Sequence, residues 1–156
     1  MLAGGEDPVF IARRLIILAS EDVGNGDPKA LGIAIDGLKA VEAIGMPEAE
    51  ICLAQVVVYL ACAPKSNSSY MAIKKARALV DKTGPLPVPK DLRSAKTKAM
   101  QNIGYGKGYN YAHNGSRGWV PQSFLPPELA KEEFYQSTGR GFEKKMQEYL
   151  NWLRGQ

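Results

Sequence analysis

Residues 51 to 63 read ICLAQVVVYLACA, and 12 of these 13 residues are apolar, with Gln55 as the exception. The run is shorter than the roughly 20 residues needed to cross a bilayer, so it predicts a core helix and no membrane segment. Glu48 and Glu50 fall in the first turn, where the helix dipole favours acidic groups, and Pro64 ends the helix. Because it is apolar almost all round, we expect this helix to be covered on nearly all sides.

Further helices are predicted on both sides of this run, from capping residues and from apolar positions spaced three and four apart. No segment alternates apolar and polar residues as a half-buried strand does, which predicts an all-α fold with five or six helices. The additional helices are predicted at Val9 to Val23, from Asp27-Pro28 to the stop at Gly45, at Asn67 to Lys82, at Ser94 to Ile103, and in the C-terminal segment whose apolar face carries Phe142, Met146, Tyr149, Leu150 and Leu153.

The chain of 156 residues is the size of one globular domain, and we predict a single domain over residues 1 to 156. Cys52 and Cys62 lie ten residues apart on one predicted helix, about 15 Å along its axis, which is too far for a disulfide. We expect both to be small buried apolar residues. One histidine and two separated thiols do not form a zinc site. No secretion signal opens the sequence, so a cytoplasmic protein is expected.

Charge is distributed unevenly along the chain, although the net charge is only +4. Residues 1 to 62 contain 4 Lys/Arg and 9 Asp/Glu, whereas residues 63 to 118 contain 11 and 2. The middle third is therefore strongly basic. Such a block can face nucleic acid, an acidic partner or solvent.

The stretch from Asn102 to Trp119 reads NIGYGKGYNYAHNGSRGW and carries the only histidine. It is not a phosphate-binding loop, because Gly106-Lys107 is followed by Gly108 where that motif requires Ser or Thr. A dinucleotide-binding turn would need a strand before it and a helix after it. His113 lacks a neighbouring nucleophile or orienting carboxylate, so no catalytic residue is predicted.

Two interpretations of this segment stay open. Five of the 13 aromatic residues lie between Tyr105 and Phe124 among basic groups, and aromatic faces can stack on bases while cations contact phosphates. Alternatively, the tyrosines cover the helical body and the glycines form turns, in a long ordered loop with a possible small hairpin near residues 105 to 127. The candidate nucleic-acid contacts are Lys90, Arg93, Lys96, Lys98, Tyr105, Lys107, Tyr109, Tyr111 and Arg117.

The first predicted helix is apolar around most of its girth, apart from Arg13 and Arg14. A partner subunit could cover such a helix, or a small helical domain could surround it. If a partner does so, the candidate interface residues are Phe10, Arg13, Arg14 and Ile17.

Four blocks of the sequence, in this order, resemble the C-terminal region of the replication-associated recombination protein A family. They are GGEDPVFIARRLIILASEDVG, LAQVVVYLACAPKSNSSYMA, LPVPKDLRSAKTKAMQNIGYGKGYNYAHN and STGRGFEKKMQEYLNWLR. These proteins are AAA+ ATPases, also called maintenance of genome stability proteins. They are similar to the eukaryotic Werner helicase-interacting ATPase and are related to clamp loaders.

The resemblance implies an all-helical oligomerisation domain of the kind that follows the AAA+ core in clamp-loader subunits, assembling as a homotetramer. It implies a bacterial, nucleoid-associated parent with DNA-dependent ATPase activity at stalled forks, binding forked or single-stranded DNA and single-strand-binding protein. ATP and magnesium would bind an ATPase core outside these residues, so no cofactor, metal or enzymatic activity is expected in this fragment. Oligomerisation is the leading predicted function, and DNA binding by the basic loop is the alternative.

Overall fold

The computed structural model describes residues 1–155, and within that range it contains six α-helices and no strand. The prediction of an all-α fold is confirmed, whereas the possible hairpin near residues 105 to 127 does not form among the described residues. The helices are α1 (Pro8–Leu18), α2 (Ala30–Ile44), α3 (Ala49–Cys62), α4 (Ser68–Thr83), α5 (Lys98–Asn102) and α6 (Phe142–Arg154).

The chain forms two compact units. Unit 1 comprises Met1–Lys75 and Phe134–Trp152, and unit 2 comprises Ala76–Glu133 with the described residues from Leu153 onward. The stretch Ala76–Glu133 of unit 2 is therefore inserted into the sequence of unit 1. At the two ends of the insertion, the Lys75 ammonium lies 5.8 Å from the centre of the Phe134 ring.

The core of unit 1 is built by α1, α2 and α3, each of which packs against the other two. Its buried side chains are small or branched aliphatics, which allows the three helices to approach closely. At Gly37 of α2, an added Cβ would lie 2.6 Å from a methyl carbon of Val56 on α3, so glycine is required there for close packing. The buried core residues are Ile11, Ala12, Leu15, Ala19, Val23, Ala30, Ala34, Val41, Ala49, Leu53, Val56 and Leu60.

The start of α1 follows its sequence signals. The Asp7 carboxylate caps the helix by accepting hydrogen bonds from the backbone N–H groups of Val9 (3.2 Å) and Phe10 (3.1 Å), and Pro8 occupies the first helical position. The helix continues as a π-helical turn over Ala19–Val23.

Within this chain, the prediction that α3 is covered on nearly all sides is wrong. Only Ala49, Leu53, Val56 and Leu60 are buried, and they form one stripe. The prediction of two buried cysteines is also corrected, because Cys62 is exposed and Cys52 is half-buried; both thiols are free. The physical reason is that α1 and α2 together cover only one side of α3.

Two smaller differences concern other elements. The helix predicted from Ser94 to Ile103 is limited to α5, because Thr97 acts as its N-cap and accepts a hydrogen bond from the Met100 N–H at 3.2 Å. On α6, Phe142 and Tyr149 are exposed, although the sequence pattern placed both on the apolar face.

Candidate subunit interface and nucleic-acid surface

The four predicted interface residues of α1 lie on one exposed stripe. Phe10, Arg13, Arg14 and Ile17 occupy positions i, i+3, i+4 and i+7, opposite the buried stripe of the same helix. Phe10 and Ile17 remain 44% and 42% exposed. Two large apolar side chains with two arginines between them are thus presented on the outside of unit 1.

A shallow groove of about 450 Å³ runs beside this stripe in unit 1. Its apolar walls are formed by Ile16 and Ile17 of α1 and by Tyr70 and Ile73 of α4, while Ser20, Glu21 and Ser69 contribute polar groups. The apolar stripe of α1 therefore continues onto α4.

Sequence reasoning missed a larger exposed apolar face on α3. Ile51 is 72% exposed and Val58 is 63% exposed, and Ala54, Val57 and Ala61 beside them are also exposed. The 12 apolar residues between positions 51 and 63 indicated that this helix is buried, but they could not distinguish burial within this chain from burial against another molecule. A contiguous apolar surface of this kind on a soluble domain is typical of an interaction site.

In unit 2, two of the predicted nucleic-acid contacts bind each other. The Arg93 guanidinium lies 5.1 Å from the centre of the Tyr105 ring and donates a hydrogen bond of 2.9 Å to the Tyr105 hydroxyl. Arg93 Nε also donates to the Val88 carbonyl at 2.7 Å, and both side chains are half-buried. Their arrangement attaches residues 102–119, here called the glycine-rich loop, to the segment 84–93, which contains three prolines; this is a structural role.

Lys107, Tyr109 and Tyr111 are exposed on the glycine-rich loop. Tyr109 is 49% exposed and Tyr111 is 53% exposed, and the Tyr111 ring lies 5.0 Å from the His113 ring. Gly104, Gly106 and Gly108 all have positive φ, which allows the backbone to turn and carry these side chains outward.

Polar side chains hold the same loop in place. The Gln122 side chain accepts a hydrogen bond from the Asn110 N–H at 3.1 Å and donates one to the Asp91 carboxylate at 3.3 Å. At Gly115, an added Cβ would lie 2.0 Å from the Trp119 carbonyl oxygen, so the backbone passes too close for any other residue. The loop is therefore ordered in this structure.

The remaining predicted contacts are Lys90, Lys96, Lys98 and Arg117, and all four are exposed. Arg117 lines a shallow pocket of about 440 Å³ in unit 2, together with Trp119 and Arg154. The Lys90 carbonyl accepts the Gly106 N–H at 2.9 Å, which places Lys90 beside the loop. The structure thus brings Lys90 to the exposed residues of the loop.

Glu143 of α6 is a fully buried carboxylate that the sequence did not single out. It accepts hydrogen bonds from the side chains of Ser66 (2.5 Å), Tyr135 (2.6 Å) and Thr138 (2.6 Å), and from the Thr138 N–H (2.7 Å). Burial alone would raise the pKa of Glu143, but these hydrogen bonds lower it from 4.5 to about 2. A carboxylate with no access to solvent and with its acceptors occupied has a structural role.

Over residues 1–155, no group of three or more His, Cys, Asp or Glu side chains is arranged to hold a metal ion. The helices in this range are also too short or too polar to cross a membrane.

Comparisons with known proteins match nearly the whole chain. The chain is 45% identical to a replication-associated recombination protein A of Coxiella burnetii and 43% identical to that of Escherichia coli K12, over 99% and 100% of its residues. It spans 35% of the length of each of these relatives. The ATPase WRNIP1 of Dictyostelium discoideum is 41% identical over 87% of the chain, which spans 16% of that protein.

These relatives agree with the match to a protein family over residues 1–154, described as the C terminal of the MgsA AAA+ ATPase. The match covers all six helices and both units. The resemblance read from the four sequence blocks is confirmed, and the chain belongs to the family of MgsA AAA+ ATPase C-terminal domains.

Proposed function

We propose that this chain is the homo-oligomerisation module of a DNA-dependent AAA+ ATPase. The observation that carries the proposal is the pair of outward apolar faces on unit 1, one on α1 and one on α3. Each exposes large apolar side chains that an isolated domain would gain free energy by burying, at about 25 cal/mol per Å².

Two separate faces support an assembly larger than a dimer. A face that pairs with itself about a two-fold axis gives a dimer, and a second self-pairing face on the same chain joins dimers into a closed tetramer. A homotetramer is therefore the proposed state. The arginines of the α1 stripe fit such an interface, because guanidinium groups are favoured there over lysines.

Sedimentation equilibrium of the chain at micromolar concentration tests this proposal. We expect a mass of about four chains, and a smaller assembly for Ile17→Lys, which places a charge in the α1 stripe. Val80→Lys changes an exposed valine of α4 and serves as the control. A clean monomer for the unmodified chain at these concentrations would contradict the proposal.

For the whole protein, we propose ATP- and magnesium-dependent action on DNA during replication, recombination and repair at stalled forks, with single-strand-binding protein as a partner. Support comes from the family to which the chain belongs and from the names of its relatives. In that setting, this domain would hold several ATPase cores together and would have no enzymatic activity of its own.

A second candidate function is DNA binding by unit 2. It is favoured by one observation, namely that Lys107, Tyr109 and Tyr111 are exposed together on an ordered loop. An ordered loop loses little conformational entropy on binding, and exposed aromatic rings suit unpaired bases. In a tetramer, four such loops would increase the apparent affinity for one DNA molecule.

Fluorescence anisotropy with a labelled single-stranded oligonucleotide and a forked duplex tests this second candidate. We expect salt-sensitive binding that Lys107→Ala and Tyr109→Ala each weaken, whereas Tyr149→Ala, an exposed tyrosine of α6, leaves it unchanged. If neither DNA binds at low salt, the candidate fails.

A further inference from the structure

The exposed face of α3 carries a regular spacing. Ile51, Ala54, Val58 and Ala61 lie three, four and three residues apart and are all exposed. This is the heptad spacing by which two helices pack side by side along a common seam. The stripe contains no charged residue along these three turns.

Side-chain sizes along the stripe favour an antiparallel pairing with an identical helix. Large and small residues alternate, with isoleucine and valine at the first and third positions and alanine at the second and fourth. When two copies run in opposite directions with Ile51 opposite Ala61, Val58 falls opposite Ala54. Every large side chain then meets a small one, whereas a parallel pairing would place Ile51 against Ile51 and Ala54 against Ala54.

Charges at the two ends of α3 favour the same direction. Glu48 and Glu50 precede the stripe, and Lys65 follows it. The Lys65 ammonium sits at the C-terminal end of α3, donating to the carbonyls of Leu60 (2.7 Å) and Ala63 (2.6 Å). In an antiparallel pair each acidic end lies beside a basic end, and the helix dipoles also oppose each other.

We propose that α3 pairs with α3 of a second copy, antiparallel about a two-fold axis, with Ile51 against Ala61 and Val58 against Ala54 of the partner subunit. This inference rests on the proposed oligomerisation and identifies the surface and register of one of its contacts. The alanines allow the helix axes to approach to about 8 Å, the lower end of the usual range.

Neighbouring apolar residues extend this face beyond the helix seam. Stable interfaces bury at least about 1,200 Å² in total, which is more than one short helix pair supplies. Ile44 and Met46 are exposed just before α3, and a groove of about 420 Å³ runs along its flank beside Val57 and Met1. The patch is thus wider than the seam alone.

Disulfide trapping tests the register. Cys52 and Cys62 are first replaced by serine, and Ile51→Cys and Ala61→Cys are then introduced together or singly. Under mild oxidation we expect the double variant to form a covalent dimer, because positions 51 and 61 of two antiparallel helices lie within the roughly 7 Å that a disulfide requires. Neither single variant is expected to cross-link, since identical positions lie about 15 Å apart along the axis.

The outcomes distinguish a failure of the α3 contact from a failure of the proposed oligomerisation. Cross-linking by Ile51→Cys alone indicates a parallel pair and overturns the antiparallel register. If the chain sediments as an oligomer but the double variant does not cross-link, α3 is not the contact, although oligomerisation stands. A monomeric chain overturns both proposals.

A second variant tests the same surface without cysteine chemistry. Val58→Lys is expected to raise the dissociation constant of this contact at least ~100-fold, because a charge would be buried on both sides of the seam. Val80→Lys is the matched control, and circular dichroism checks that both variants keep their helices. An unchanged mass for Val58→Lys would overturn the assignment of this face.

Discussion

Glu143 holds a negative charge in the interior of unit 1, with no cation beside it in its set of hydrogen-bond partners. The charge is stabilised by hydroxyl and backbone donors from two other segments, around Ser66 and around residues 135 to 138. A buried carboxylate is tolerated only with such a full set of donors. These donors tie the start of α6 to the turn between α3 and α4.

Replacing this carboxylate by its neutral isostere should destabilise the fold. In Glu143→Gln, the side-chain NH2 group faces the hydroxyl and N–H groups that donate to the native carboxylate, and the charge-assisted hydrogen bonds are lost. We therefore expect a loss of about 2–4 kcal/mol in the free energy of unfolding. Urea denaturation measures it. Glu148→Gln, on the exposed side of α6, is the control and should change stability by less than about 0.5 kcal/mol.

The lowered pKa of Glu143 also predicts a pH dependence. Because the folded-state pKa is about 2 and the ordinary value is 4.5, this group stabilises the fold above pH 4.5. That contribution is lost as the pH falls from 4.5 toward 2. The difference in unfolding free energy between the native chain and Glu143→Gln should therefore shrink over this window, as followed by denaturation at several pH values. A constant difference would show that the carboxylate is not ionised in the fold.

Glu143 looks like an ordinary helix-start glutamate, because its donors Tyr135 and Thr138 lie in a segment without a periodic pattern and Ser66 lies 77 residues away. By contrast, Asp7 could be recognised as a cap, because its partners follow it directly. A residue whose partners follow at the standard cap spacing was predictable, and a residue whose partners come from an irregular or a distant segment was not.

At the scale of elements, α2 contains two glycines in opposite environments. An added Cβ at Gly37 would collide with Val56 of α3, whereas at Gly32 it would meet no atom within 4 Å. We expect Gly32→Ala to stabilise the chain by about 0.5–1 kcal/mol, because glycine is a poor helix former. Gly37→Ala should destabilise it by about 1–3 kcal/mol through overpacking. Thermal denaturation of both variants provides the comparison, and equal shifts would contradict the close packing of α2 on α3.

Helices were predictable as elements because caps and apolar spacing are local signals, and α1, α2, α3, α4 and α6 all lie close to their predicted positions. The environment of α3 was not predictable in the same way. Its sequence is apolar on all sides, and only the packing of α1 and α2 determines which side is left exposed. The glycine-rich loop has no periodic pattern, so the pairing of Arg93 with Tyr105 could not be read from it.

For the whole molecule, the proposed assembly predicts a thermal stability that depends on the protein concentration. Because subunits bind the folded chain and not the unfolded one, the melting temperature should rise with protein concentration. In Val58→Lys this dependence should weaken, since one contact is lost. Differential scanning calorimetry over a hundredfold range of concentration measures it. A melting temperature that stays constant over this range would contradict assembly.

The insertion of unit 2 between Lys75 and Phe134 has a consequence for how sequences of this family can vary. The Lys75 and Phe134 side chains, on either side of this stretch, contact each other within unit 1. A change of length in the loops between α4 and Phe134 leaves this contact within unit 1 in place. We therefore expect insertions and deletions among relatives to concentrate in the loops between residues 84 and 133, while α1 to α3 keep a fixed length.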